Sequence, residues 1–526
     1  MNIPNLLVVP FPVQGHVNPL MNFSQKMVEH GCKITFVNTD FSQKRMMSYV
    51  GKQESLEESP TIKLVSIPDG LEADDDRSDL GKLCDSVLST MPSMLEKLIQ
   101  DIHENSGERI TCIVADMIMG WALEVGRKLG IKGILFCTAS AATFALEYKI
   151  PKLIQDGIID SHGFPITKGT FQISPSMPSM DTKAIWWSNV YNPTTEKKIF
   201  KYLVHCMQNS NLAKWCICNT TYELEPSALS CVPMLLPVGP LLRSYDKTNV
   251  SARSLGQFWE EDHSCIDWLN QQPHCSVLYV AFGSFTLFDQ NQFNELALGL
   301  DLTDRSFLWV VRQDNKMAFP SEFLGSKGKI VGWTPQLKVL NHPSIACFLS
   351  HCGWNSIIEG FSSGVPFLCW PYFTDQFQNR NYICDELKVG IGLNSDENGL
   401  VSRWEIKKKL DRLINDEQIR TRSLELKETV MNNIAEGGGS SENSIVAMSL
   451  VLTHAVFKIE DGFESSDERR KLGHLKPCED YNRENWGANA KMDQKAKKIT
   501  VFADQNGALD IAEKNSMKPS FLRQRQ

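Results

Sequence analysis

Short runs of β-branched and leucine side chains alternate with longer amphipathic stretches from the start of the chain: LLVVP (6–10), ITFVNT (34–39), IKLVSIP (62–68), ITCIVAD (110–116) and IKGILFCTAS (131–140). Runs without polar alternation belong to strands covered on both faces, and the helix-length spacing between them predicts a parallel α/β sheet. From about 151 to 235 the pattern loosens, with Pro, Ser and Met clusters and the adjacent Trp186 and Trp187. Loops and helices lining a variable surface are expected there. A polar, Pro- and Gly-marked stretch at 241–275 predicts an interdomain linker. A second series then begins: SVLYVAFGS (276–284), FLWVVR (307–312), KIVGW (329–333), IACFLSH (345–351), VPFLCWP (365–371) and VGIGL (389–393). The expected fold class is α/β, with two Rossmann-like domains spanning 1–240 and 276–435.

Composition narrows the class. Hydrophobic residues make up 42% of the 526 and charged residues 22%, so the body is an ordinary globular one and no membrane span is expected. A net charge of −8 leaves no electrostatic footprint for nucleic acid. The 15 cysteines are odd in number, sit mostly in apolar runs and include no CxxC pair, so they read as reduced core residues rather than a disulfide or zinc framework. The apolar run at the N-terminus is too short for a signal peptide. A cytoplasmic protein is expected. From 458 to 526 the character changes: fourteen Lys/Arg and twelve Asp/Glu with no sustained periodicity predict a disordered tail, in which only VFADQNGALDIAEK (501–514) could form a helix.

Two constellations carry chemistry. His16 follows the first strand in PFPVQGHVNPL (10–20), and Asp116 ends the strand ITCIVAD. Ligands in doubly wound folds bind at the carboxyl ends of strands, so both side chains are expected at one rim. An imidazole there can take a proton near neutral pH, and a carboxylate on its other nitrogen would fix its tautomer. Taken alone, His16 could equally cap a helix and Asp116 bond a turn. The second constellation is the block WTPQLKVLNHPSIACFLSHCGWNSIIEGFSSGVPFLCWPYFTDQ (333–376). Its strand IACFLSH runs through Gly353 into a helix, where free backbone N–H groups and the helix dipole favour phosphate, with His351 on the same rim. Neither GxGxxG nor the Walker pattern is present.

This block resembles the 44-residue signature box of plant secondary-product UDP-glycosyltransferases, and the likeness extends over about residues 3–457. It implies a GT-B arrangement, with the two domains facing across a cleft, an acceptor-binding N-terminal and a donor-binding C-terminal one. It implies that His16 and Asp116 are the catalytic pair. Trp333 would stack on uracil, and Gln336 and Glu359 would bind the ribose. His351, Asn355, Ser356 and Ser284 would hold the diphosphate. Trp354, Asp375 and Gln376 would face the sugar, and Thr138 would reach its far side. It further implies that a helix at 436–457, after the Gly-Gly-Ser-Ser turn, crosses back to the first domain.

The expected reaction is inverting transfer of a hexose, most simply glucose, from UDP-glucose as co-substrate to a hydroxyl of a small lipophilic acceptor. No cofactor or metal is expected, with the helix dipole and His351 standing in for a cation, and the protein is expected to be a monomer. The rivals are a non-catalytic UDP-sugar-binding protein and a sugar-nucleotide epimerase. Phe144, Trp186 and Trp187 are the expected acceptor-pocket residues. Asp74-Asp75-Asp76 fits DxD but lies in a polar loop, where a solvated acidic turn is the simpler reading. Ile357 stands where the family box commonly has Thr, removing a hydroxyl from the expected phosphate region, and Thr334 stands where Ala is common. Truncation after residue 457 is expected to leave turnover intact; a folded truncation without activity would make the tail part of the machine.

Overall fold

The computed structural model describes residues 3–50, 61–105, 107–188, 191–243, 256–435, 438–439, 501–503 and 509–511. The first sheet contains β1 (Asn5–Val9), β2 (Lys33–Thr39), β3 (Ile62–Ile67), β4 (Cys112–Asp116) and β5 (Lys132–Cys137). A two-stranded hairpin of β6 (Thr170–Phe171) and β7 (Met180–Asp181) stands apart, and β8 (Trp215–Cys218) and β9 (Leu235–Pro237) complete the sheet. Its order is β3-β2-β1-β4-β5-β8-β9, parallel throughout. The second sheet contains β10 (Val277–Ala281), β11 (Ser306–Val310), β12 (Gly328–Val331), β13 (Ile345–Ser350), β14 (Phe367–Cys369) and β15 (Gly390–Gly392). Its order is β12-β11-β10-β13-β14-β15, also parallel.

The continuous apolar runs form these strands because each sheet has a helical layer on both faces. In β1, Leu6 and Val8 enter one core while Leu7 and Val9 enter another on the opposite face. In β10, Val277, Tyr279 and Ala281 face one layer and Leu278 and Val280 the other. Such a strand has no solvent side, which is why polar alternation is missing from its sequence. Each sheet also reverses its strand order beside its first strand, at β1/β4 and at β10/β13, and each reversal opens a crevice at the strands' carboxyl ends.

Two expectations need correction. The region 151–235 contributes not only helices but β8 and β9 to the first sheet. These strands are four and three residues long, and Pro237 is tolerated because β9 is an edge strand. In the last stretch, Val501–Ala503 pairs antiparallel with Leu509–Ile511 where a helix was the expectation. Asn506-Gly507 lies between them, a dipeptide that favours a turn over helix continuation. The rest of the expected tail, and all of the expected 436–457 helix except 438–439, lie outside the described residues.

The two domains meet along a polar seam. Beside it, Gln14, on the first turn of helix Gln14–Glu29, ties the stretch between the domains to the first domain, whose core takes Phe258: it accepts from Phe258 N at 2.8 Å and donates to Gln257 Oε1 at 3.0 Å. Asn355 Nδ2 donates to Gly15 O at 2.6 Å, and Trp354 Nε1 donates to Asn219 O at 2.9 Å. Within the first domain, Gly120 lets helix Trp121–Lys128 lie against helix Pro193–Asn209: a Cβ there would sit 2.3 Å from the Cys206 carbonyl oxygen. The contact is with backbone, so neither side can yield cheaply. Gly120→Ala is expected to destabilise the protein by about 1–3 kcal/mol in urea unfolding; an unchanged midpoint would show that these helices can separate freely.

Candidate active site

His16 lies on the first turn of the helix that follows β1, and Asp116 is the last residue of β4. Because β1 and β4 are neighbours, with Val9 opposite Ala115, the two side chains emerge together at the first sheet's crevice. His16 Nδ1 is 2.7 Å from Asp116 Oδ2. Asp116 is fully buried, and its Oδ1 accepts from Ile118 N at 3.1 Å. Thr138 Oγ1, from the end of the adjacent β5, lies 2.9 Å from His16 Nδ1 and 3.5 Å from Asp116 Oδ2. Burial alone would lower the imidazole's pKa, but the charge and hydrogen bond of Asp116, helped by Asp375, outweigh it and raise the value above 6.5. With Nδ1–H committed to a carboxylate, Nε2 is left with a lone pair.

Across the cleft, β13 turns through His351, Cys352 and Gly353 into helix Trp354–Ser363. Cys352 takes a left-handed conformation at φ 65°, and Ser350 Oγ accepts its N–H at 3.1 Å. Gly353 supplies no side-chain cap, so the first-turn N–H groups face the cleft as an anion site. Gly283 and Gly353 cradle His351: a Cβ on either would lie 2.6 or 2.4 Å from its Nε2. Burial, helped by the charge of Arg312, pushes the His351 pKa down to about 4 despite a hydrogen bond with the Ala281 backbone. Burial thus favours the neutral imidazole, which can still donate one hydrogen bond. Arg312, which was not anticipated, lies behind the turn paired with Asp314 at 2.9 Å, and its Nη1 donates to Gly283 O and Thr286 O, each at 2.9 Å, bracing the turn that carries Ser284.

A single cavity between the domains is lined by His16, Thr138, Ser284, Trp333, Gln336, His351, Trp354, Asn355, Ser356, Glu359, Asp375 and Gln376. Asp116 stands behind His16. At one end, Tyr279 OH donates to Gln336 Oε1 at 3.0 Å, while Gln336 Nε2 donates to Glu359 Oε2 at 2.7 Å and Ser356 Oγ at 2.9 Å. Thr334 bonds Tyr279 OH at 2.7 Å, so that departure from the family box supports the network. Burial pushes the Glu359 carboxyl up to about 7. Trp333 stacks on Trp259 with ring centroids 6.0 Å apart. Towards His16, burial raises the Asp375 pKa against hydrogen bonds from Asn379 and Thr374. Gln376 Oε1 accepts from Tyr372 N and Phe373 N at 2.8 and 3.1 Å, which fixes its amide. The indole N–H of Trp354 is taken by Asn219 O, leaving only its ring for a ligand.

Three expectations change. Phe144 does not line the cavity: it is fully buried and stacks on Tyr148 at 6.2 Å. Trp187 is also core, with Nε1 donating to Gly163 O at 2.9 Å, whereas Trp186 does line the cavity. Neighbouring residues on a turn or helix point in different directions, so an aromatic pair cannot share one wall. Ile357 is fully buried in the second domain's core, so the missing hydroxyl is not missing from the cavity. Sequence reading also missed Glu147, Tyr202, Arg243 and Glu261 on the cavity wall. A lone acid in the apolar helix Ala141–Tyr148 was the available signal for Glu147. The acidic loop satisfies itself locally, with Asp75 Oδ2 accepting Glu72 N and Asp76 Oδ1 accepting Ser78 N.

Residues 258–431 match the family model described as UDP-glucoronosyl and UDP-glucosyl transferase. UDP-glycosyltransferase 83A1 of Arabidopsis thaliana is 42% identical over 456 residues, covering 84% of this chain and 96% of that protein. The 7-deoxyloganetic acid glucosyltransferase of Catharanthus roseus is 33% identical, covering 84% and 95%. Among solved structures, a UDP-glucosyltransferase from Polygonum tinctorium capable of glucosylating indoxyl superposes with a TM-score of 0.72 at 27% identity, covering 86% of this chain and 99% of that one. A UDP-glucose complex of a Medicago truncatula glycosyltransferase gives 0.70 at 25% identity, covering 85% and 98%. With two parallel-sheet domains of GT-B type and a strand-end His–Asp pair facing an uncapped helix N-terminus, the chain belongs to the plant family 1 UDP-glycosyltransferases and is a glycosyltransferase enzyme.

Proposed function

We propose that the enzyme transfers glucose from UDP-glucose to a hydroxyl of a small lipophilic acceptor, with inversion at the anomeric carbon. The observation that carries this reading is the 2.7 Å His16–Asp116 contact across one cavity from the uncapped start of helix Trp354–Ser363. His16 Nε2 takes the acceptor's proton, and Asp116 stabilises the imidazolium that results. The acceptor oxygen attacks the anomeric carbon from the side opposite UDP, so an α-linked donor yields a β-glycoside. Charge developing on the departing diphosphate meets first-turn N–H groups, with His351, Asn355, Ser356 and Ser284 around it, and needs no metal ion.

Trp333 takes the uracil face, Gln336 and Glu359 the ribose hydroxyls, and Asp375, Gln376, Thr138 and the Trp354 ring the hexose. The acceptor enters beside Leu80, Met117, Ile118, Trp186, Ile199 and Leu203, an apolar wall that suits a lipophilic molecule. We place the enzyme in the cytoplasm as a monomer. Every described cysteine is a free thiol, which fits a reducing compartment. Among the described residues no helix is long and apolar enough to cross a membrane.

His16→Ala is expected to lower kcat by about 10²–10⁴-fold while UDP binding by calorimetry is retained; full turnover would remove His16 as the base. Because the base works only when deprotonated and its pKa is raised, kcat/KM should climb through an acid limb above pH 6.5. Asp116→Asn removes the two larger raising influences and leaves burial opposed only by the weaker one of Asp375, so the limb should move to lower pH as kcat falls. A limb that stays in place would separate Asp116 from His16. Turnover in excess EDTA is expected to equal that without it; a loss reversed by Mn²⁺ would contradict the metal-free route.

A further inference from the structure

Two buried glutamates serve the helix Ala141–Tyr148 and are used differently. Glu225 is 1% exposed, and both its oxygens are occupied: Oε2 accepts Ala141 N at 2.9 Å and Oε1 accepts Ala142 N at 3.0 Å. It is a structural cap for the helix's first turn. Glu147, near the other end, is equally buried but lines the cavity. Its Oε1 accepts Trp186 Nε1 at 3.0 Å, while its Oε2 has no hydrogen-bond partner among the described residues. Thr143, one helical turn earlier, lines the same wall.

A buried carboxyl with one idle oxygen is costly unless something occupies it. Burial pushes the Glu147 carboxyl well above the usual carboxylate range, and the carboxylates of Asp375 and Asp116 push the same way against the Trp186 hydrogen bond. Burial thus favours the protonated form, whose hydroxyl can donate. The group stands on the acceptor side, within electrostatic reach of the aspartate that holds His16.

Building on the glucosyl transfer proposed above, we propose that Glu147 is an acceptor-binding residue whose Oε2 hydroxyl donates a hydrogen bond to a second oxygen of the acceptor. The acceptor class is thereby narrowed to uncharged lipophilic alcohols or phenols that carry a carbonyl, ether or further hydroxyl besides the one glucosylated. Trp186 fixes the carboxyl's orientation through Oε1, so the donor direction is set before the acceptor arrives.

The test uses the full-length enzyme, UDP-glucose and matched phenols: 2-, 3- and 4-hydroxybenzophenone against 2-, 3- and 4-phenylphenol, which lack the carbonyl. Wild-type enzyme is expected to favour at least one hydroxybenzophenone over its partner in kcat/KM, and Glu147→Leu to lower that ratio by about tenfold or more. Glu147→Gln should keep the preference, because its amide still accepts from Trp186 and donates from the other position. No preference in any wild-type pair, or the same ratio in a folded Leu variant, overturns the assignment. Should the Leu variant fail to bind UDP, collapse of the ratio in Glu147→Gln overturns it independently. Absence of glucosyl transfer to every phenol by wild-type enzyme overturns the proposed reaction itself, and this inference with it.

Discussion

The site depends on a single buried contact. Asp116 ends a strand that has no solvent face, and both its oxygens are engaged there, one by the Ile118 N–H and the other by His16 and Thr138. From that constraint follow the tautomer of His16, the upward push on its pKa and the direction of its free nitrogen. The same carboxyl reaches Glu147 and adds to the upward push on its pKa. A carboxylate placed one residue earlier would point into a helical layer, since strand side chains alternate between faces.

Each wall of the cleft has its own chemistry. The first domain contributes Asp116, behind His16, and Glu147, while the second contributes Asp375, Glu359, His351 and the free N–H groups that open helix Trp354–Ser363. The His16–Asp116 pair suits removal of a proton from an alcohol, and the helix N–H groups suit an anion. The walls are joined at the reacting centre itself, because Asn355 bonds Gly15 O beside His16 and Trp354 bonds Asn219 O. Trp354 and Asn355, the first two residues of helix Trp354–Ser363, thus hold the two domains in register.

The sequence revealed the site where chemistry and topology coincide. His16 and Asp116 were legible because each follows an apolar run, and in a parallel sheet neighbouring strands end together. Gly353 was legible as a turn into a helix. What escaped was directional. Phe144 and Glu147 share one short helix, yet only Glu147 faces the cavity, and Trp186 and Trp187 are divided in the same way. A composition of aromatics cannot show which way a helix is rotated. β8 and β9 were hidden by their brevity, and the charge state of His351 by burial that only packing supplies.

The central claim is that Asp116 sets the protonation of His16, and the most direct measurement is an NMR titration of ¹⁵N-labelled histidine in the wild-type enzyme and in Asp116→Asn. The account predicts a His16 resonance that titrates above pH 6.5 in the wild type with the proton on Nδ1, and a midpoint displaced downward in the variant. Identical midpoints and tautomers in the two proteins would contradict it.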